Sequence, residues 1–440
     1  MEKNPPPSLD NDSVSKKSSE ISQQESHPRY RWIDQFRGVY LVFFFIASLT
    51  TVFSKKILDI EFPIGPTWLN FGYNYADFYP RMITLVDLGS QVFMYILGLT
   101  LTISFRRKLE AKGSKYAWIS IFTRVCVFFW IALVMYTDYV IFNVNDIVLL
   151  VIWAVVTITV VILRNTRFKN TDLRLIFGFL WSISSMLLWY FKFDSNIWTI
   201  FFGNSLAYFA WATLVGAVCV YLIRKPDYRI IIPICLMGMH FFLWEKSQSW
   251  SIPVLSSTLF EFPFMVPFDV LGLISVAITA TCVWDWMNMD PKDHKVGIRK
   301  RVVPLMSITF IGQYVIDFFQ TADSEGTDTS IVFLGIALSC AFCMLAKAID
   351  LYYDFNSRVL TSLGKNGLFL LIFQSVLIIP YRLIWPNGGQ DFRKMVSLWL
   401  EVSTTHALVN LMGILAFLIP MIILAVSAWI LDKFKIYVRI

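Results

Sequence analysis

Long apolar runs decide what this chain can fold into. With roughly 17–25 residues per bilayer crossing, about twelve such runs fit the sequence. Their limits fall near 38–54, 82–105, 117–141, 147–163, 175–191, 196–223, 230–244, 266–287, 302–320, 331–353, 366–386 and 406–431. The seventh is short and the break between the fifth and sixth is brief, so the expected number is about ten to twelve. In hydrocarbon every backbone N–H and C=O needs an internal partner, and a helix supplies one within its own segment. The expected fold class is therefore all-α: a polytopic membrane bundle of about 10–12 transmembrane helices over residues 29–440. With 56% hydrophobic and 16% charged residues, a chain of 440 has too little polar surface for a water-facing shell. Residues 1–28 differ, being rich in Ser, Pro, Asn, Gln and Lys. They cannot bury apolar surface and are expected to form a disordered cytoplasmic tail. Because the chain starts polar, no cleavable signal peptide is expected. Arg29–Arg37 reads as an interfacial lead-in.

Lys and Arg placement orients the spans. The tail, Arg106–Lys115, Arg164–Arg174, Arg224–Arg229, Lys292–Arg301 and Lys433–Arg439 are basic. The alternate loops, including that before Ile147 and Thr321–Ser330, carry few or no basic residues. Both termini are thus expected in the cytoplasm, most simply at a cell membrane. The long loops Ser54–Arg81, Glu245–Pro267 and Asn387–Thr405 then lie outside. Their aromatic residues suit a lid or an acceptor rim, and interfacial anchoring accounts for them nearly as well. The net charge of +7 sits in these loops and does not indicate nucleic-acid binding. All six cysteines lie in apolar stretches, so no disulfide framework is expected, and Cys340 and Cys343 read as buried thiols on one helix face. No metal-binding pattern stands out.

Ionisable residues inside spans are the informative set, because a charge at mid-bilayer costs roughly 2.5–3.5 kcal/mol on insertion scales. Asp87 shares a helical stripe with Gln91, Tyr95, Gly98 and Thr102. That stripe either packs against another helix or lines a cavity. Arg124 lies well within the third span and needs a partner or an anionic ligand. Lys347 shares a face with Asp350 and Cys343, which fits a local ion pair or a contact with a ligand phosphate. Asp138, Asp285, Asp317 and Arg382 lie near span ends, where snorkelling accounts for them. Gly272, Ser275, Thr279 and Cys282 form a small-residue face that lets a neighbouring helix approach. Asn204 and Gln313 either line the interior or make interhelical hydrogen bonds.

Four segments carry a resemblance. TLVDLGSQVFMYILG (Thr84–Gly98) is similar to the T-x-x-D-L-x-x-P-x-F-x-F-I-x-G segment of the heparan-alpha-glucosaminide N-acetyltransferase family of membrane acyltransferases. RYRWIDQFRG (Arg29–Gly38) resembles that family's R-x-x-S-x-D-x-x-R-G. FDVLGLIS (Phe268–Ser275) resembles Y-D-P-E-G-L-L-S, and SLGKNGLFLLIFQ (Ser362–Gln374) resembles the late G-x-N-x-L-x-x-Y helix. The resemblance implies acyl transfer from cytosolic acetyl-CoA, a co-substrate, to a sugar or glycolipid acceptor near the outer face. It implies that Asp34, Arg37 and Gly38 shape the cytosolic mouth, with Asp87 and Asp269 nearer the outer end. Arg124, Asn204 and Lys347 are the further candidates for holding the nucleotide. The expected partners are acyl-CoA, a glycan or glycolipid and membrane lipid, with a homodimer left open.

Acyl transfer needs a base for the acceptor, donors for the oxyanion and cations for the phosphates. The family has a histidine just before its T-x-x-D-L segment, and this chain has none between His27 and His240. Asp77 falls at about that place. A carboxylate is poorly matched to neutral pH without burial, its ordinary pKa being about 4. His240, expected at the outer end of the seventh span, could substitute as the base, or His406 from the start of the twelfth. The alternatives to an enzyme are a catalytically degenerate relative that binds or translocates a lipid or glycan, and an ion-coupled transporter using Asp87, Asp269 and Lys347.

Overall fold

The structure is a computed structural model. It describes residues 30–51, 88–140, 205–250, 269–288, 294–319, 329–353, 357–367, 370 and 406–434, with 176, 179–181, 183–184 and 187. Among the described residues there is no strand; every regular element is helical. Among the described residues three helices are long and apolar enough to cross a membrane: Val270–Met287, Lys295–Phe319 and Thr329–Tyr353.

The elements in chain order are α1 (Arg31–Thr51), α2 (Gly89–Lys112), α3 (Ser114–Val140), α4 (Ser205–Leu222), the single turn α5 (Pro226–Arg229) and α6 (Ile231–Trp250). They continue with α7 (Asp269–Met287), the turn α8 (His294–Gly297), α9 (Val303–Phe319), α10 (Thr329–Tyr353), α11 (Arg358–Lys365) and α12 (His406–Lys433). A π-helical turn, Ile298–Val302, joins α8 to α9.

Helix α7 is the axis of the bundle. Of Val270–Met287, 89% is buried, whereas Lys295–Phe319 is only 17% buried and lies at the periphery. The cause is side-chain size. Ser275, Ala277, Thr279, Ala280 and Cys282 are all sealed from solvent, and small residues let several helices approach one backbone. Helices α2, α4, α6 and α10 pack around it. A close contact is at Gly98 of α2, where an added Cβ would overlap the carbonyl oxygen of Ala277 and stand 2.8 Å from the Ala280 Cβ. The small-residue face expected on this span, Gly272, Ser275, Thr279 and Cys282, is buried too, with Gly272 against Val332 and His240, whereas Gly98 meets the opposite side of α7.

A second glycine contact joins α1 to α11. A Cβ on Gly38 would overlap the Leu360 carbonyl, and one on Gly364 would overlap that of Asp34. Helix α11 falls in a stretch read from sequence as a link between spans. Its start is marked by Ser357, whose hydroxyl accepts the Leu360 N–H as an N-cap.

Two expected boundaries shift. The second span was expected to end at 105, but α2 continues to Lys112 because Lys, Glu and Ala sustain helix after the apolar run stops. The break before α3 is one residue, Gly113, at a φ of 81° that glycine adopts without strain. The seventh span was expected to end at 244, whereas α6 reaches Trp250. His240 therefore lies at mid-helix, not at the outer end. The lead-in from Arg31 is the first two turns of α1.

Candidate functional site

Basic segments meet at one end of the bundle. Arg31 at the start of α1 stands 3.8 Å from Asp350 near the end of α10. Tyr30 packs edge-on against Trp284 near the end of α7, 4.8 Å between ring centres. Lys365 pairs with Asp432 at 2.9 Å, tying α11 to the end of α12.

The strongest polar cluster at this end was not singled out in the sequence. Arg106 on α2 grips Asp285 with two parallel bonds, 2.6 Å to Oδ1 and 2.7 Å to Oδ2. Arg229 on α5 donates to the same Oδ2 at 2.9 Å. Arg229 is fully buried, so its remaining donors need partners. They reach Thr281 Oγ1 at 3.1 Å and the carbonyls of Ile223 and Arg224 at 2.9 and 3.1 Å. Asp285 is thus a buried ion-pair centre and does not snorkel. The signal for it was a carboxylate in the last turn of a span, flanked in the fold by two basic loops. Trp286 adds a neighbouring bond, donating to Asp227 Oδ1 at 2.8 Å, and Arg301 pairs with Asp227 at 3.3 Å.

A second basic group lies between α1, α2 and α3. Arg37 stands 3.9 Å from Asp34 on the same helix, one turn apart. Arg124 of α3 points toward α2, with Nη1 donating to Ser104 Oγ at 3.5 Å. Its charge is near enough to that of Arg37 for the two to interact. Lys108 donates to Ser120 across the α2–α3 pair. Arg37 already faces the carboxylate of Asp34, so the guanidinium whose charge reaches Arg124 is itself matched in part. Asp34 is 4% exposed and Gly38 is a backbone contact, so in this structure both shape packing.

The interior is a polar seam in tight packing. Gln91, Tyr95 and Thr102 of the expected α2 stripe are each fully buried, and Gly98 lies on the same face. The Gln91 side chain lies over Gly335 of α10. The Tyr95 hydroxyl is 3.3 Å from Cys340 Sγ. For these residues the stripe is a helix contact. Cys343 lies 3.8 Å from Met287 Sδ. Lys347 donates to the Met287 carbonyl at 3.2 Å, placing its ammonium at the C-terminus of α7, where the helix dipole is negative. The expected Lys347–Asp350 ion pair is not formed; Asp350 faces Arg31 instead. His240 is fully buried in α6, with its ring over Gly272 of α7 beside Val332 of α10.

Asp77, Asp87 and Asn204 lie outside the described residues, and so does the side chain of Asp269, the first residue of α7. Gln313 is buried on the α9 face toward α10. Among the described residues no three His, Cys, Asp or Glu side chains are grouped to hold a metal ion. No protein-family model matches this chain, and no curated protein matches it.

Proposed function

We propose that this chain is a multi-pass membrane acyltransferase of the heparan-alpha-glucosaminide N-acetyltransferase type. Acyl-CoA enters at the basic end, and a sugar or glycolipid acceptor reacts toward the opposite face. One observation carries the proposal: the described parts of the four segments that resemble the family include stretches of helices that meet in pairs. Helix α1 meets α11 through Gly38 and Gly364, and α2 meets α7 through Gly98. Both pairs belong to one bundle, with α10 touching α1, α2 and α7. In this reading ten to twelve spans cross a cell membrane with both termini in the cytoplasm, the side that the positive-inside rule gives to the basic segments.

The residues divide by task. Arg37 and Arg124 hold the nucleotide phosphates at the basic end, with Lys347 and Asn204 as further contacts. His240 takes the acceptor proton. A neutral imidazole with an ordinary pKa near 6.5 suits that role better than the carboxylate of Asp77. Asp87 and Asp269 orient the acceptor nearer the far end. Since His240 is fully buried in this structure, the acceptor reaches it through a parting of α6 from α10.

That burial is also the observation behind a second reading. A degenerate relative that binds or translocates a lipid or glycan would have His240 as a packing residue over Gly272. Purified protein with radiolabelled acetyl-CoA and mixed glycan acceptors separates the two. Acyl transfer that falls by about 100-fold or more in His240→Ala, with acetyl-CoA binding retained, supports the enzyme. Substrate-bound protein that neither transfers nor hydrolyses the thioester supports the binding protein.

A further inference from the structure

The π-helical turn at the base of α9 has features that helix packing does not explain. Lys295, Arg299, Lys300 and Arg301 lie within one short stretch, and all four are exposed. The turn is held rigidly from beneath. Val302 is fully buried, and a Cβ on Gly297 would overlap the Trp286 carbonyl. Arg301 is fixed by Asp227, which also accepts the Trp286 indole N–H. Arg299 and Lys300 have no hydrogen-bond or ion-pair partner among the described residues. A π-turn is an uncommon backbone form that recurs at functional positions. Here it presents two cationic side chains from a clamped base.

Directly along the chain, α9 is the most outward-facing of the three membrane-length helices. Ile308, Ile311, Val315 and Phe318 form one exposed stripe, spaced by three and four residues, with exposures of 65%, 62%, 53% and 86%. That stripe is about 15 Å long, the depth of one leaflet of a hydrocarbon core of about 30 Å. A cationic collar above an apolar stripe of leaflet depth has the charge and shape of one ligand class. We infer that this face binds an anionic phospholipid of the surrounding leaflet. The phosphate-bearing headgroup sits at Arg299 and Lys300, and an acyl chain lies along the α9 stripe. The inference rests on the chain spanning a membrane and is independent of acyl transfer.

The test is native mass spectrometry of the full chain, released from mixed micelles holding equal dioleoyl phosphatidylserine and dioleoyl phosphatidylcholine. Phosphatidylserine is retained in preference to phosphatidylcholine. A basic residue near an anionic surface is worth about five-fold in affinity. Arg299→Gln/Lys300→Gln therefore weakens phosphatidylserine retention by roughly 25-fold. Arg107→Gln/Lys115→Gln, two exposed cations on another segment, leaves it unchanged. Equal retention of the two lipids overturns the site, and so does an unaffected Arg299→Gln/Lys300→Gln variant. An equal loss in the control variant also overturns it, since the attraction is then diffuse. Displacement by soluble glycerol phosphate shows that the ligand is a free phosphate ester and not a lipid. Alkaline extraction of membranes, run in parallel, separates failure of this site from failure of the membrane reading. Only the latter releases the protein.

Discussion

Replacing Asp285 by Asn tests the account of the basic end most sharply. The change keeps side-chain size and removes one charge. In the native protein Asp285 accepts three charge-assisted bonds, two from Arg106 and one from Arg229. The amide keeps one oxygen, which at the Oδ2 place still accepts from both guanidiniums, but its NH2 then faces Arg106 Nη1 and the negative charge that balanced two cations is gone. Arg106 is 34% exposed and recovers hydration, but Arg229 is fully buried and cannot. Removing one partner of a buried pair costs about 3–5 kcal/mol, because the other charge stays buried and unmatched. Spread over a protein of 440 residues this lowers the melting temperature by roughly 3–5 °C. Tryptophan fluorescence melting of detergent-purified protein reads it, since Trp284 and Trp286 flank the site. A second variant checks the cause. Arg229→Met/Asp285→Leu removes both buried charges and leaves only the partly hydrated Arg106, so it should recover most of the loss. A melting temperature unchanged in Asp285→Asn would refute the argument. A double variant as unstable as the sum of its singles would refute it too.

Other outcomes follow from the same geometry. Gly98→Val should destabilise by more than 3 kcal/mol, read as loss of the monodisperse peak in size-exclusion chromatography, because its Cβ meets Ala277 backbone. Gly113→Ala should cost about 1–3 kcal/mol in the same melting assay, the strain of an L-residue at φ 81° and ψ 174°. Lys347→Met should cost about 1–3 kcal/mol in the same melting assay, because the Met287 carbonyl loses its donor. Lys347→Glu should fail to fold, because it places a carboxylate against the Met287 carbonyl.

The sequence is informative about what each helix can do alone and silent about what it meets. The apolar runs of α7, α9 and α10 stand almost where expected, since hydropathy and helical hydrogen bonding are local properties. The tail of α2 departed because hydropathy marks the lipid-soluble part, and helix formers such as Ala111 and Lys112 extend beyond it. The π-turn at Ile298–Val302 has no local signature of comparable strength. Helix α11 does have one, the Ser357 cap before an amphipathic RVLTSLGK. Within the site, Arg124 stood out because a mid-span guanidinium must be matched. Arg229 did not, because a basic residue in a loop looks ordinary until Asp285, from another helix, is placed beside it. Lys347 appeared to have a local acid in Asp350. Only the packed bundle shows that the acid belongs to Arg31 and the amine to the end of α7.

Acetyl-CoA binding at the basic end is the claim on which the functional reading depends, and equilibrium binding of radiolabelled acetyl-CoA to the purified chain measures it directly. Saturable binding is expected, weakened about 10–100-fold by Arg37→Gln or Arg124→Gln, the loss of one charge-assisted phosphate contact. Lys433→Gln, an exposed cation at the end of α12, should leave it intact. No saturable binding, or binding indifferent to both Arg37 and Arg124, contradicts the acyltransferase reading.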